Sequence, residues 1–361
     1  MAHFEGIFWA NHQLRYLLKD KKAELLGNDA KVFAVSRSIH YALFLVFEGI
    51  RFLCKRNPEG EIEIVFVNWE KNLERFRNGI AFNLSSAQQI LVPSVHELKH
   101  LFLSYFRTPE IRPFLEEMIH MKAQGYLRPF TVDEEQSIGV SFPANPSIRV
   151  SMCRYDRYLG EPFDGVVIPI FVRAAGINGT GCLKLGINYL MSVKAVDKAG
   201  NILPSAASAL FLDDNPWTPL RERHISEWDS SCCLIALRNG TVVKIPESPL
   251  ILPSVTIQGV VTLLRRNGVN VEERHFTYGE LIDRAQAKEI IAVCSVGTAG
   301  ILNRCRRLVM VDMEDHILAD HFADSDHELF QILGKMKTLY WNIYSGIEKA
   351  SADIVVEKYT I

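Results

Sequence analysis

What this 361-residue chain does not contain narrows its reading first. The start, Met1-Ala-His-Phe-Glu-Gly, has no basic stretch leading into an apolar core, so no secretory leader is expected. No apolar run reaches the ~20 residues that a membrane-spanning helix needs. Neither charge sign is in excess: 40 Lys and Arg face 42 Asp and Glu, a formal net charge of −2. Nothing in that balance argues for nucleic acid or an anionic membrane as a partner. The seven cysteines are odd in number, scattered, and form no CxxC pair. They read as reduced thiols of a cytoplasmic protein, not as a disulfide framework. Asn178-Gly-Thr fits a glycosylation acceptor but carries no weight without secretion. Internal repeats and low-complexity segments are also lacking.

What remains is a soluble, globular composition, 48% hydrophobic and 23% charged, long enough for two domains with substantial cores. One stretch stands out: Gly179-Thr-Gly-Cys-Leu-Lys184-Leu-Gly-Ile-Asn188-Tyr189. Lys184 lies between Gly181 and Gly186, where the backbone can pass close to a ligand, and Tyr189 comes five positions later. A lysine taken out of water in this way loses basicity and becomes a nucleophilic amine suited to Schiff-base chemistry. The plain alternative is an ordinary turn lysine. Lys194 and Lys198 are rivals, but they fall on a polar helix face.

With Arg173-Ala-Ala-Gly ahead of it, this stretch resembles the cofactor-lysine segment of branched-chain amino acid aminotransferases, fold-type IV enzymes that use pyridoxal 5′-phosphate (PLP). The resemblance implies that Lys184 forms the Schiff base and shuttles the proton, and that Tyr189 meets the cofactor's phenolic oxygen. Further motifs keep the family's order. Phe47-Glu-Gly-Ile-Arg51 implies Phe47 as a pocket wall, with Ala42-Leu43 where the family has Tyr-Gly. Tyr126-Leu-Arg128-Pro is similar to a family Tyr-Ile-Arg-Pro segment, implying Tyr126 as a wall and Arg128 as partner of a glutamate side chain. Tyr158 matches a tyrosine of a loop that closes over substrate. Ile225-Ser-Glu227 implies Glu227 as partner of the pyridine nitrogen, a carboxylate that keeps the electron sink protonated. Leu252-Pro-Ser-Val255-Thr256 opens a helix, and helix N-termini bind phosphate. Val255 and Thr256 inherit that role. Gly297-Thr298-Ala299 implies phosphate contact by Thr298 and substrate carboxylate contact by Thr298 and Ala299. The chain departs from the family at Asn68, where an arginine holds the phosphate, and at Cys232 and Ile257. Lys71 or Arg75 could supply the missing charge.

The other segments are plainer. Residues 1 to about 30 look like an amphipathic extension packed on a partner surface. Val32–Val35 reads as a short strand, and 50–67 as a hairpin through Pro58-Glu-Gly60. Asn68 is a candidate N-cap. Residues 93–124 look helical with a break at Pro109. His96 and His100 lie there at i, i+4; metal ligation is open to them, but no Glu or Cys completes a site, and solvated histidines are the simpler reading. Gly165–Arg173 is a buried strand, Arg238-Asn-Gly240 a hairpin turn, and 327–348 an amphipathic helix.

The resemblance, from about Lys31 to Glu348, implies an α/β (α+β) protein of two domains: a small N-terminal α/β domain (1–151), an interdomain loop (152–161) and a larger C-terminal PLP-binding domain with a β-rich pseudo-barrel (162–361). It implies a cytoplasmic homodimer moving an amino group between an apolar or branched-chain L-amino acid and 2-oxoglutarate, without a metal. D-amino acid transfer, lyase action and a non-catalytic binding role stay open.

Overall fold

The computed structural model describes every residue except 1–3, 156, 160, 174–178, 216 and 352, and the backbone alone of 4, 5, 157 and 158. The chain forms two compact units. The amino-terminal unit comprises Phe4–Asp156 together with Leu183–Ile187 and Val355–Ile361. The carboxy-terminal unit comprises Arg157–Cys182 and Asn188–Ile354. Met152–Tyr155 belong to a strand of the first unit.

The amino-terminal unit carries β1 (Phe4–Glu5), β2 (Phe8–Trp9), β3 (His12–Leu17), β4 (Lys22–Gly27), β5 (Ile50–Arg56), β6 (Ile62–Val67), β7 (Gln124–Asp133) and β8 (Pro146–Tyr155). The strand β19 (Val356–Thr360), from the other end of the chain, joins them. The sheet runs β19-β6-β5-β7-β8-β3-β4, with β2 also on β8, and these pairings are antiparallel. The expected 50–67 hairpin is β5–β6, closed at Asn57–Gly60, where Gly60 takes φ +82°. Helices α2 (Trp69–Phe82), α3 (Val95–Phe106) and α4 (Arg112–Met121) complete the core of this unit. Their apolar stripes bury Phe76, Phe102 and Phe106, and β6 adds Phe66 stacked on Trp69 at 4.0 Å between ring centroids. Ser94 and Glu97 start α3 with a reciprocal capping box.

Two expectations fail here. Residues 12–27 form the hairpin β3–β4 on β8, not an extension laid on a partner. Leu14 and Leu18 are buried in the core, so the amphipathic segment spends its apolar face within this unit's own sheet. Val32–Val35 is not a strand. It leads into the short helix α1 (Arg37–Tyr41), anchored to β7: Arg37 pairs with buried Asp133 at 3.2 Å, and Ser38 Oγ accepts from Asp133 N–H at 2.9 Å.

The carboxy-terminal unit holds β9 (Arg157–Tyr158), β10 (Phe163–Ile168), β11 (Ala206–Leu212), β12 (Ile225–Trp228), β13 (Cys232–Leu237), β14 (Thr241–Lys244), β15 (Asn270–Glu273), β16 (Ile290–Gly297), β17 (Ile301–Val311) and β18 (Ile317–Phe322). Its sheet runs β12-β11-β10-β17-β16-β13-β14-β15, with β18 on β17. β10 lies parallel to β11 and β17, while β16 is antiparallel to β13 and β17. The parallel β10–β11 pair needs a crossover, and α5 (Leu190–Ile202) supplies it, burying Ala195 and Ala199 with Val166, Ile168 and Phe211. Helices α6 (Val255–Arg266), α7 (Tyr278–Gln286) and α8 (Glu328–Ser345) come after it. The mixed α/β class and the β-rich second half are as expected. Among the described residues, no helix is long and apolar enough to cross a membrane.

Candidate active site

In the amino-terminal unit, Lys184 is held from both sides by backbone. Phe47 N–H donates to Lys184 O at 3.0 Å, Gly186 N–H donates to Leu45 O at 3.0 Å, and Val46 bridges Leu185. These bonds fix the lysine's Cα, so its side chain starts from a rigid base. Nζ sits 4.9 Å from the centre of the Phe47 ring, within cation–π range. The Arg128 guanidinium carbon lies 4.9 Å from the same ring and 5.1 Å from that of Tyr126, to whose oxygen it also donates at 3.3 Å. Four residues singled out from sequence, Lys184, Phe47, Tyr126 and Arg128, are thus one cluster.

Sequence reading missed the pair beside it. Glu48 is fully buried and accepts two bonds from Arg75, at 2.7 Å and 2.6 Å, and one from Gly49 N–H at 2.7 Å. Burial pushes its carboxyl up, but the Arg75 charge and hydrogen bonds, with Lys184 adding, hold it below the usual carboxylate range. A charged residue set between Phe47 and Gly49 was the available signal. Arg75, an expected substitute for the phosphate arginine, is engaged with Glu48. Gly49 is required by space: a Cβ there would come 1.8 Å from the Tyr126 hydroxyl.

Asn68 stands at the start of α2 in the left-handed region, φ +52°, and is buried. Its Oδ1 accepts from Val355 N–H at 2.8 Å and its own N–H donates to Val355 O at 2.8 Å. The position is occupied by a structural clasp, and its side chain does not cap the helix it begins.

In the carboxy-terminal unit, Glu227 is buried and Arg173 lies against it, NH1 to Oε1 at 2.9 Å. Leu252 N–H donates to the same oxygen at 3.1 Å. Burial pulls the guanidinium's pKa down, but Glu227 and then Tyr189 outweigh it and raise it, so the arginine stays charged. The Arg173 guanidinium also sits 5.3 Å from the Tyr189 ring centre. Residues 174–178, the rest of the Arg173-Ala-Ala-Gly motif, lie outside the described residues, as does the Tyr158 side chain.

The residues after Glu227 anchor its strand. Asp229 Oδ1 accepts from Ser208 Oγ and from Ala209 N–H, and Ser192 donates to Asp229 O at 2.6 Å. Trp228 is buried edge-on to Phe163, its Nε1 donating to Cys294 O at 3.1 Å. Its ring is accommodated by Gly165, where a Cβ would approach it to 2.7 Å. The Cys232 thiol donates to Leu252 O at 3.7 Å. Ile257, where the resemblance would place arginine, is core.

At the start of α6, Ser254 Oγ accepts from Ile257 N–H at 3.2 Å, and the Val255 and Thr256 N–H groups belong to the first turn that no intrahelical carbonyl reaches. The Thr256 hydroxyl stands 3.5 Å from that of Thr298, which precedes Ala299 after β16. Two hydroxyls and a helix N-terminus converge, a donor set suited to an anion. Among the described residues, no group of three or more His, Cys, Asp or Glu is placed to hold a metal ion.

No family profile matches the chain. It is 26% identical to the branched-chain-amino-acid aminotransferase of Helicobacter pylori over 333 residues, 85% of this chain and 88% of that protein. It is 24% identical to branched-chain-amino-acid aminotransferase 2 of Bacillus subtilis over 279 residues, 74% of this chain and 68% of that protein. In structure it is similar to the branched-chain amino acid aminotransferase from Escherichia coli, with a TM-score of 0.67 at 19% identity, covering 95% of this chain and 97% of the other. The chain is a divergent relative of the branched-chain amino acid aminotransferases. It shares with these aminotransferases the fold-type IV architecture, including a half-barrel sheet. A further structural relative, a branched-chain amino acid aminotransferase complexed with N-(5′-phosphopyridoxyl)-L-glutamate, has a TM-score of 0.64 at 18% identity over 92% of this chain and 94% of its own.

Proposed function

We propose that this protein is a PLP-dependent class IV aminotransferase that moves an amino group between an apolar L-amino acid and a 2-oxo acid such as 2-oxoglutarate. The Arg173–Glu227 pair carries this reading. A buried carboxylate held next to a buried arginine stays ionised, and an ionised carboxylate is what a protonated pyridine nitrogen needs. The other donors fit the cofactor too: the paired Thr256 and Thr298 hydroxyls and the N–H groups of Val255 and Thr256 suit a phosphate, and Tyr189 suits a phenolic oxygen.

When bound, the cofactor supplies an electron sink for the amino acid's Cα. The chain supplies the rest. Lys184 Nζ would hold the cofactor covalently and, as a free amine, would be the base that takes the Cα proton and returns it. The Phe47 ring, 4.9 Å from Nζ, and the backbone bonds on either side of Lys184 seat the amine for both transfers. Phe47 and Tyr126 wall an apolar substrate side chain, a role that the family resemblance extends to Tyr158. Arg128 offers a fixed fork of donors to a donor's side-chain carboxylate, and the Thr298–Ala299 backbone receives the α-carboxylate. The protein works as a homodimer on small molecules.

A second reading is a binding protein that keeps the fold without amino transfer. Asn68 favours it, because a residue engaged with Val355 brings no charge to a phosphate.

One sample separates the two. Borohydride reduction and peptide mapping of the purified protein place the phosphopyridoxyl group on Lys184 under the first reading. Label on Lys194 or Lys198, or none, removes it. A panel of amino donors with 2-oxoglutarate then fixes the substrate: turnover of Leu, Ile or Val is expected, and a preference for D-alanine counts against it.

A further inference from the structure

We propose that helix α3 carries a binding site for a late first-row divalent cation, a two-imidazole chelate formed by His96 and His100. The site shares no residue with those assigned above. The two histidines are one helical turn apart, and both are exposed. Their Nε2 atoms face each other at 3.1 Å, with ring centroids 4.3 Å apart and planes at 66°.

That separation fits a metal. Bonds from zinc-like ions to imidazole nitrogen are about 2.0–2.1 Å, which turns 3.1 Å into a bite angle of about 98°. This falls between octahedral and tetrahedral values, so one ion takes both lone pairs without moving the helix. In the ion's absence one Nε2–H donates to the other nitrogen. Binding needs a change of tautomer, each ring then carrying its proton on Nδ1, and a side-chain rotation that turns both Nε2 lone pairs toward the ion.

The backbone that sets the spacing is firm. Ser94 and Glu97 cap the helix, and Leu98, Leu101, Phe102, Tyr105 and Phe106 bury its other face. The neighbouring charges on this stretch are engaged elsewhere. Glu97 is tied to Ser94 and lies 3.7 Å from Lys21, and Lys99 pairs with Glu357 at 2.8 Å and Glu70 at 3.5 Å. Since no third His, Cys, Asp or Glu joins the pair among the described residues, water or a small external ligand fills the remaining positions. Such a site exchanges its metal readily and obeys the order in which Cu²⁺ binds tighter than Ni²⁺ or Zn²⁺.

The test is titration of the full-length, tag-free protein with Cu²⁺ alone, followed calorimetrically and by electron paramagnetic resonance. One equivalent is expected, with two nitrogen donors in the spectrum. His96→Ala and His100→Ala should each weaken it at least tenfold. Both side chains are exposed, so folding is checked simply by unchanged circular dichroism. His275→Ala is the control, because His224 and His275 form another ring pair, 4.8 Å between centroids; it should leave the equivalent in place. Binding as tight in His96→Ala or His100→Ala as in the unaltered protein, loss in His275→Ala, or no binding at millimolar Cu²⁺ would each overturn the proposal.

Discussion

Asn68 and Val355 hold each other by two hydrogen bonds, side-chain oxygen to backbone N–H and backbone N–H to backbone oxygen, both 2.8 Å long. The residues are far apart in sequence, and the contact starts the β19 strand on the edge of β6. In this chain Asn68 therefore does a different job from a phosphate arginine.

Asn68→Ala should leave the Val355 N–H without its protein acceptor and cost about 0.5–1.5 kcal/mol, the net contribution of an ordinary hydrogen bond. Asn68→Arg should cost at least as much, because asparagine tolerates the left-handed backbone better than arginine does. Urea midpoints and the rate of proteolytic trimming at the carboxy end measure both. Unchanged values in the two variants would mean the clasp is incidental.

Glu227→Gln keeps the shape but removes the charge that Arg173 faces. Single-turnover amino transfer should slow at least tenfold, about 1.4 kcal/mol of barrier. Thermal stability should fall as well, since a buried guanidinium loses its counter-ion. Full activity in this variant would take Glu227 out of the reaction.

Gly49→Ala places a methyl group inside the Tyr126 ring position, 1.8 Å from the hydroxyl and 2.5 Å from its carbon. The ring must swing away, and with it the stack that seats Arg128. The ordinary cost of such overpacking is ~1–3 kcal/mol of stability, read from urea midpoints. Tyr126→Ala added to Gly49→Ala should recover part of that loss, a coupling visible in a double-mutant cycle. Strict additivity would contradict the contact.

Acid should weaken the protein through His321. Burial lowers its pKa to about 4, with Asp320 pulling the other way, against an unfolded value of about 6.5. Between those values the unfolded chain binds a proton that the folded chain does not, so stability falls as pH drops through the window. At pH 5 this amounts to about 2 kcal/mol relative to neutral pH, at 1.36 kcal/mol per unit. His321→Gln should flatten the slope of urea midpoint against pH between 7 and 5.

Lys184, Glu227 and Thr256 could be named as candidates because their signals, flanking glycines for the first and short motifs similar to the family's for all three, show within a few residues. Those of Glu48, Arg75 and Asn68 do not. Their partners are distant in sequence, and no spacing rule joins Glu48 to Arg75 or Asn68 to Val355. The elements divide along the same line. Helices α3 and α8 were readable from their apolar period and α6 from its opening motif, while β3, β4 and β19 were not, because their stability comes from the strands they pair with.

The amino-terminal unit is assembled from pieces made at very different moments. Its main body ends at Asp156, yet it also needs Leu183–Ile187, which bring in Lys184, and Val355–Ile361 for its edge strand. On a ribosome the last piece arrives about 200 residues after Asp156, on the order of ten to forty seconds later at common elongation rates. During that interval β6 presents a bare edge, the kind of surface on which other nascent chains can pair. Production of this protein should therefore be sensitive to the speed of translation through its second half.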